Sequence, residues 1–168
     1  MKIRLANNLD SAGVIKLIDS VLGEYDDAVC LDGAEADLID IEQSFSGGAF
    51  WVLEDESNGA IVGTHAAMET TPAAPQLSGS PTRRVCVFKR LYLAKRFRGT
   101  QWGFRLMQNN IDWAKEQGMD RIEFWSDTRF ERAHRFFERF GFQKSGDVRT
   151  MEDSHLTYQE CFFFLDFP

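Results

Sequence analysis

From Arg83 to Gly141 a strand pattern and a helix pattern alternate twice, and this narrows the choice of folds more than any other feature of the chain. "RRVCVFKRLYL" is an apolar strand run and "RFRGTQWGF" a turn that leads into the helical "QWGFRLMQNNIDWAKEQ", stopped by Gly118. "DRIEFW" is the next strand. "TRFERAHRFFERFG" then sets Phe130, Ala133, Phe137 and Phe140 along one helix face, with Gly141 past the end and Thr128 and Glu131 in capping-box spacing. Strands and helices in alternation bury their apolar faces only as stacked layers.

The residues upstream extend the same plan. "DSAGVIKLIDSVLG" places Val14, Ile15, Leu17, Ile18, Val21 and Leu22 at helical spacing, with Asp10 or Ser11 as cap and Gly23 as stop. "DLIDIEQSF" reads as a second short helix. "FWVLEDESNGAIVGTHAAM" reads as a hairpin around Asn58-Gly59. "ETTPAAPQLSGSPT" reads as a long exposed loop, and "LTYQECFFFLDF" as a closing apolar strand. The order α-α-β-β-β-α-β-α-β gives an α/β (α+β) chain with one mixed sheet and helices packed on it. No repeat or linker divides residues 1–168, and 168 residues with 43% hydrophobic content suffice for one domain with a proper core.

The net charge of −7 hides an asymmetry. Residues 1–68 hold three basic and thirteen acidic side chains, a balance of −10. Between Glu69 and Asp112 there is no acidic residue, yet Arg83, Arg84, Lys89, Arg90, Lys95, Arg96, Arg98 and Arg105 lie there. Such a segment faces an anionic ligand or pairs with acidic neighbours. Nucleic acid is disfavoured, because the rest of the chain would be repelled. No apolar run reaches membrane-span length, and "MKIRLANNLD" lacks a signal-peptide core, so a cytoplasmic protein is expected. Cys30, Cys86 and Cys161 have no metal-like spacing; Cys86 and Cys161 read as small core residues, and no metal is expected.

The turn carries the chemistry. A helix start leaves its first amides without intrahelical partners and adds the positive end of the helix dipole, so strand–turn–helix is an anion site in waiting. Thr100 can cap this helix, leaving amides at Gln101, Trp102 and Gly103 for a phosphate. Arg98, Arg96 or Lys95 can add charge-assisted bonds. Gln101 stands where a glycine-rich loop would carry another glycine; its amide remains, and its side chain adds bulk.

The stretch Val85–Gly146 resembles the core of the GNAT superfamily, the acyl-CoA-dependent N-acyltransferases. The matching pieces are "RLYLAKRFRGTQWG", against that family's Arg/Gln-x-x-Gly-x-Gly/Ala turn, then "RIEFW", and "AHRFFERFGF" against its "FYEKxGF". The first helix and the hairpin resemble its N-terminal half. The resemblance implies a central, mostly antiparallel sheet in which two parallel strands splay apart. It implies that coenzyme A pyrophosphate sits on amides from Arg98 through Gly99, Thr100, Gln101 and Trp102 to Gly103, with Arg96 near by. It also implies a pantetheine arm along Leu91-Tyr92-Leu93, with Phe130 and Phe137 at positions that face the cofactor. The implied activity is transfer of acetyl from acetyl-CoA to an amine by direct attack in a ternary complex, by a monomer or homodimer.

Two family features are missing. The tyrosine that would protonate the leaving thiolate aligns with Phe137, and the asparagine early in the last helix aligns with Phe130. This keeps open a second reading, a non-catalytic acyl-CoA-binding or sensing module. Proton-handling candidates are therefore sought elsewhere: Glu69 and Asp127 as carboxylates near the expected cleft, Tyr92 and Ser126 as donors. Asp127 and Ser126 can equally serve as helix caps, and Glu69 as a solvated loop residue. His65 is expected as a satisfied, half-buried ring and His134 as a surface residue. The acidic segment at Asp26, Asp27, Asp32, Glu35 and Asp37 would favour a cationic amine.

Overall fold

The computed structural model describes residues 1–71, 83–152 and 156–168. The proline-rich loop expected between the second and third strand runs lies largely outside them, as does His155. The elements are β1 (Lys2–Leu5), α1 (Ser11–Leu22), α2 (Ile41–Ser44), β2 (Ala49–Asp55), β3 (Ala60–Thr70) and β4 (Val85–Leu93). There follow α3 (Gln101–Glu116), β5 (Arg121–Asp127), α4 (Glu131–Arg139), β6 (Gln143–Glu152) and β7 (Thr157–Asp166). The strands form one seven-stranded sheet in the order β1-β2-β3-β4-β5-β7-β6. Every pairing is antiparallel except β4 with β5, which α3 joins by a crossover.

Strand alternation sorts the core onto two faces. Ala66 and Val52 pack with Val14, Ile18 and Leu22 of α1 and Ile41 of α2. Their neighbour Ala67 packs with Met107, Ile111 and Ala114 of α3 and Phe137 of α4. Cys86 and Cys161 are fully buried among the latter, as small core residues do.

Two strands were not anticipated. β1 has only four residues, too few for a pattern. β6 is polar and almost wholly exposed, so it lacks an apolar face to read; its pairing with β7 holds it. The second helix shrinks to a 3₁₀ turn at Ala36–Leu38 and the four residues of α2. Asp10 holds the N-cap position of α1, as expected, but its side chain makes no cap bond to that helix; it closes a capping box with Asn7 around the 3₁₀ turn just before it. Gly23 does not stop it with a left-handed residue; a 3₁₀ turn continues to Tyr25 and ends at Asp26, φ 57°. The capping box expected at Thr128 and Glu131 is absent from α4, whose start has no side-chain cap. Asp127 instead accepts the Arg129 amide at 2.8 Å.

Candidate active site

Parallel pairing of β4 with β5 is limited to Val85 with Arg121, Cys86 with Ile122 and Val87 with Glu123. β4 continues to Leu93 and β5 to Asp127, but they no longer pair, because β5 keeps to β7 along its length. The sheet therefore forks. A cleft of about 440 Å³ occupies the fork, with Lys89 to Tyr92 on one wall and Phe124 to Asp127 on the other. Phe130, Ala133 and Phe137, with Asp27 and Glu35 from the segment after α1 and Tyr158 and Glu160 of β7, also line it. Beyond the fork the free edge of β4 can take an extended ligand as an added strand.

A bulge interrupts β4 on its other edge, in the pairing with β3. Thr64 pairs with Tyr92 and Ala66 with Lys89, so His65 alone faces Arg90 and Leu91. Arg90 takes a left-handed backbone, φ 57°, which costs an arginine roughly 1–2 kcal/mol. Side-chain bonds offset that strain. Thr64 Oγ1 donates to the Arg90 carbonyl at 2.7 Å. The Arg90 guanidinium donates to Glu35 at 2.9 Å, to Asp37 at 2.8 Å and to the Ala34 carbonyl. Arg90 and Glu35 are nearly buried, their side chains 11% and 10% exposed. Two residues on, Tyr92 lines the cleft, and burial pushes its hydroxyl up to about 12 against the opposing effect of Arg90.

The turn lies past the end of β4. Gly99 is left-handed at φ 78°, as a residue without Cβ allows. Thr100 caps α3: its Oγ1 accepts from the Trp102 amide at 3.4 Å and donates to the Phe97 carbonyl at 2.6 Å. The amides of Gln101 and Gly103 lie in the first turn, where no intrahelical acceptor exists. Gln101 is exposed, so its side chain has solvent to point into. Gly103 sits close to Leu93 and Phe136; a Cβ there would meet Leu93 at 3.6 Å.

Much of the basic segment is paired within the molecule. Six of its eight cations contact carboxylates: Arg83 with Asp166, Arg84 with Glu69, Lys89 and Arg90 with Asp37, Arg96 with Asp55, and Arg98 with Glu24. Arg98 grips Glu24 through both terminal nitrogens, at 2.8 and 2.6 Å, and its Nε donates to the Leu93 carbonyl at 2.9 Å. Arg98 holds the Glu24 carboxyl below the usual carboxylate range. The acidic wall of the cleft is matched in the same way. Asp27 and Asp127 both bind Arg129, at 2.9 and 2.6 Å, and Glu160 binds Arg149 at 2.7 Å. The negative field expected on that side is therefore largely neutralised.

The fork thus gathers Leu91, Tyr92, Asp127, Phe130 and Phe137, while Leu93, Arg96 and Arg98 to Gly103 form the turn beyond it. Glu69 is not brought there. It pairs with Cys86 at the closed end of the fork and is held by Arg84 at 2.9 Å. His65 is 1% exposed rather than half-buried; it bonds the Leu106 carbonyl at 3.2 Å, and burial lowers its pKa to about 4. His134 is not a surface residue: it is 9% exposed, with Nε2 3.2 Å from Ser126 Oγ. Its place three residues before Phe137, on the same helix face, was the available signal. Trp125, Arg149 and Tyr158 also line the cleft. Arg149 and Tyr158 come from β6 and β7, and only the pairing of those strands brings them near. Among the described residues no cluster of His, Cys, Asp and Glu is arranged to hold a metal, and no helix is long and apolar enough to cross a membrane.

Comparison with known proteins agrees with this architecture. A GNAT-family acetyltransferase structure from Staphylococcus aureus Mu50 superposes with a TM-score of 0.76 at 24% identity, covering 98% of both chains. The ribosomal-protein-alanine N-acetyltransferase of Brucella melitensis gives 0.72 at 17% identity, over 99% of this chain and 100% of that one. A curated relative, the probable N-acetyltransferase camello of Xenopus tropicalis, is 30% identical over 112 residues. That match takes in 65% of this chain and 46% of the relative, so the chain spans about half the length of the curated protein it matches. Residues 18–142 match the acetyltransferase (GNAT) family across β2 to β5 and α4, the elements that build the fork and the turn. The chain belongs to the acetyltransferase (GNAT) family.

Proposed function

We propose that this protein transfers an acetyl group from acetyl-CoA to an amine by direct attack in a ternary complex. The observation that carries the reading is continuity: the free edge of β4 runs from the fork, past the bulge, straight into the turn and the bare amides of α3. An extended arm ending in phosphates matches that track, with the arm beside Leu91 to Leu93 and the pyrophosphate on amides between Arg98 and Gly103. Bound there, acetyl-CoA supplies the activated acyl carbon. Phe130 and Phe137 would give the arm an apolar wall.

The acceptor enters from the side of Asp27, Glu35 and Tyr158. Because arginines match those carboxylates, the acceptor class stays broad: a small cationic amine, an amino acid or a protein amine. Tyr92, Ser126 and Asp127 are the candidate proton-handling groups that line the fork. Glu69, turned to the closed end, is the weakest candidate. The internal pairing of the basic segment leaves little field for nucleic acid.

The second reading, a non-catalytic acyl-CoA sensor, is favoured by the lack of a hydroxyl at Phe137. Two measurements separate them. Acetyl-CoA should raise the melting temperature, since it binds only the folded state, and adenine nucleotides without the arm should do so less. CoA release over a panel of amines should then show turnover. Stabilisation without turnover on any amine favours the sensor; no stabilisation at millimolar acetyl-CoA defeats both readings.

A further inference from the structure

On the wall that β5 gives the fork, one of the proton-handling candidates belongs to a polar pair. Ser126 lines the cleft, with its Oγ 3.2 Å from Nε2 of His134, and both residues are 9% exposed. Ser126 lies three residues beyond the last β4–β5 pair, Val87 with Glu123, and Arg90 lies equally far along β4. The hydroxyl therefore stands across the fork from the bulge, roughly 10 Å from the vertex at about 3.3 Å per residue. Phe137, whose position carries no hydroxyl, lines the same cleft one helical turn after His134.

The surroundings of His134 suit a ring that rests neutral. Cys161 of β7 places its sulfur 3.9 Å from both ring nitrogens. Lys144 of β6 disfavours the charged ring together with burial, the larger effect, while Asp127 of β5 and Glu138 of α4 oppose them. A neutral ring nitrogen beside a hydroxyl can take that hydroxyl's proton. Other candidates are less free. Asp127 is held by Arg129, and the Tyr92 hydroxyl keeps its proton to about 12.

We propose that Ser126, backed by His134, carries the proton that acyl transfer must move from the attacking amine nitrogen to the sulfur of coenzyme A. As nitrogen bonds to the acyl carbon, its proton passes to Ser126 Oγ while the serine proton passes to His134 Nε2. As the carbon–sulfur bond breaks, the electron pair leaves with sulfur, Ser126 gives it a proton, and His134 returns its own to Oγ. One proton leaves nitrogen and one reaches sulfur; serine and histidine end as they began, and no further reactant is needed. Ser126 is the group that touches the reacting atoms, and His134 acts through it. The proposal rests on the acetyl-transfer reading above.

The test uses the whole chain, acetyl-CoA, and spermidine, L-lysine and a peptide with N-terminal alanine as acceptors, with CoA release as readout. Ser126→Ala and His134→Gln should each lower kcat by about 10²-fold, the lower end for a positioned acid–base group, and leave the KM for acetyl-CoA near the wild-type value. Ser126→Thr, which keeps the hydroxyl, should recover most of the loss. The wild-type kcat should show an acid limb below the ordinary histidine value of about 6.5, and His134→Gln should abolish it. Wild-type kcat and an unchanged limb in Ser126→Ala would overturn the relay while leaving acetyl transfer intact, and this variant decides the matter if His134→Gln does not fold. Thermal stabilisation by acetyl-CoA with no turnover of any of the three acceptors would overturn the parent reading and the relay with it.

Discussion

The bulge of β4 and the turn that follows it are built around arginines eight residues apart, and the two arginines do different work. Arg90 and Arg98 each reach across to the acidic segment that follows α1, Arg90 to Glu35 and Asp37, Arg98 to Glu24. The Arg90 pair is nearly buried, whereas the side chains of Arg98 and Glu24 are 21% and 28% exposed. Burial decides what each bond is worth. A buried charge stripped of its partner has no water to fall back on, so the Arg90 clamp is structural. An exposed pair gains little over water, so Arg98 can exchange Glu24 for a phosphate at small cost.

The largest expected effect tests the buried side. Arg90→Met should destabilise the protein by about 3–5 kcal/mol, because it leaves the buried Glu35 without its cation and Asp37 with only the more distant Lys89. Urea denaturation of the apo protein measures this. A loss below about 1 kcal/mol, the exposed-pair range, would erase the distinction between the two arginines.

His65, opposite the bulge, makes the same point through pH. Its folded pKa of about 4 lies below the unfolded value of about 6.5. Above pH 6.5 both states are neutral at this position and its full contribution is present. As pH falls toward 4 the unfolded chain takes up a proton and the folded one does not, so about 3 kcal/mol of stability is lost over that window. His65→Gln should flatten the wild-type stability profile by that difference between pH 6.5 and 4. Parallel profiles would mean that the ring titrates freely and the region is wetter than its burial implies.

On the exposed side the effect should appear in binding, not folding. Arg98→Ala should change stability by under about 1 kcal/mol yet weaken acetyl-CoA by about 1–3 kcal/mol, the worth of a charge-assisted bond. Glu24→Gln should release Arg98 and leave acetyl-CoA affinity equal or higher. If Glu24→Gln weakens binding as much as Arg98→Ala does, the pair acts as one fixed unit and Arg98 is structural as well. Calorimetric titration of both variants distinguishes these outcomes.

The same contrast explains what was legible in the chain. The turn is local: Gly99, the Thr100 cap and the run of α3 are contiguous, so their geometry could be read from spacing. The fork is half local, since the strand–helix–strand order implies a parallel pair but not where the pair ends. The bulge is not local at all. It depends on one residue of β3 meeting two of β4, and on a loop about fifty residues upstream that supplies Glu35 and Asp37. His134 reads as a surface residue when it is taken as offset from the Phe face of "ERAHRFFER", but it sits one turn before Phe137, and the packing of α4 on Phe163 and Cys161 turns that ring inward. Charge asymmetry left two readings of the basic segment open, an anionic ligand or acidic neighbours, and only the fold shows that six of its eight cations pair with carboxylates of the same molecule.

The smallest effect concerns Gln101, and it asks whether the exposed turn is as adaptable as the comparison requires. Its amide belongs to the first turn of α3 and is present whatever the side chain. Glycine there would remove bulk beside the phosphate track and keep the donor. It would also cost the helix up to about 1 kcal/mol, reduced at an exposed first-turn position. Gln101→Gly should therefore leave acetyl-CoA affinity equal or slightly higher, with a small drop in melting temperature of the apo protein. Titration calorimetry on wild type and variant reads the first quantity and a thermal melt the second. An affinity loss as large as that of Arg98→Ala would show that the glutamine amide itself holds the ligand. The turn would then be a site fitted by its side chains and not by its backbone, as closely specified as the buried bulge behind it.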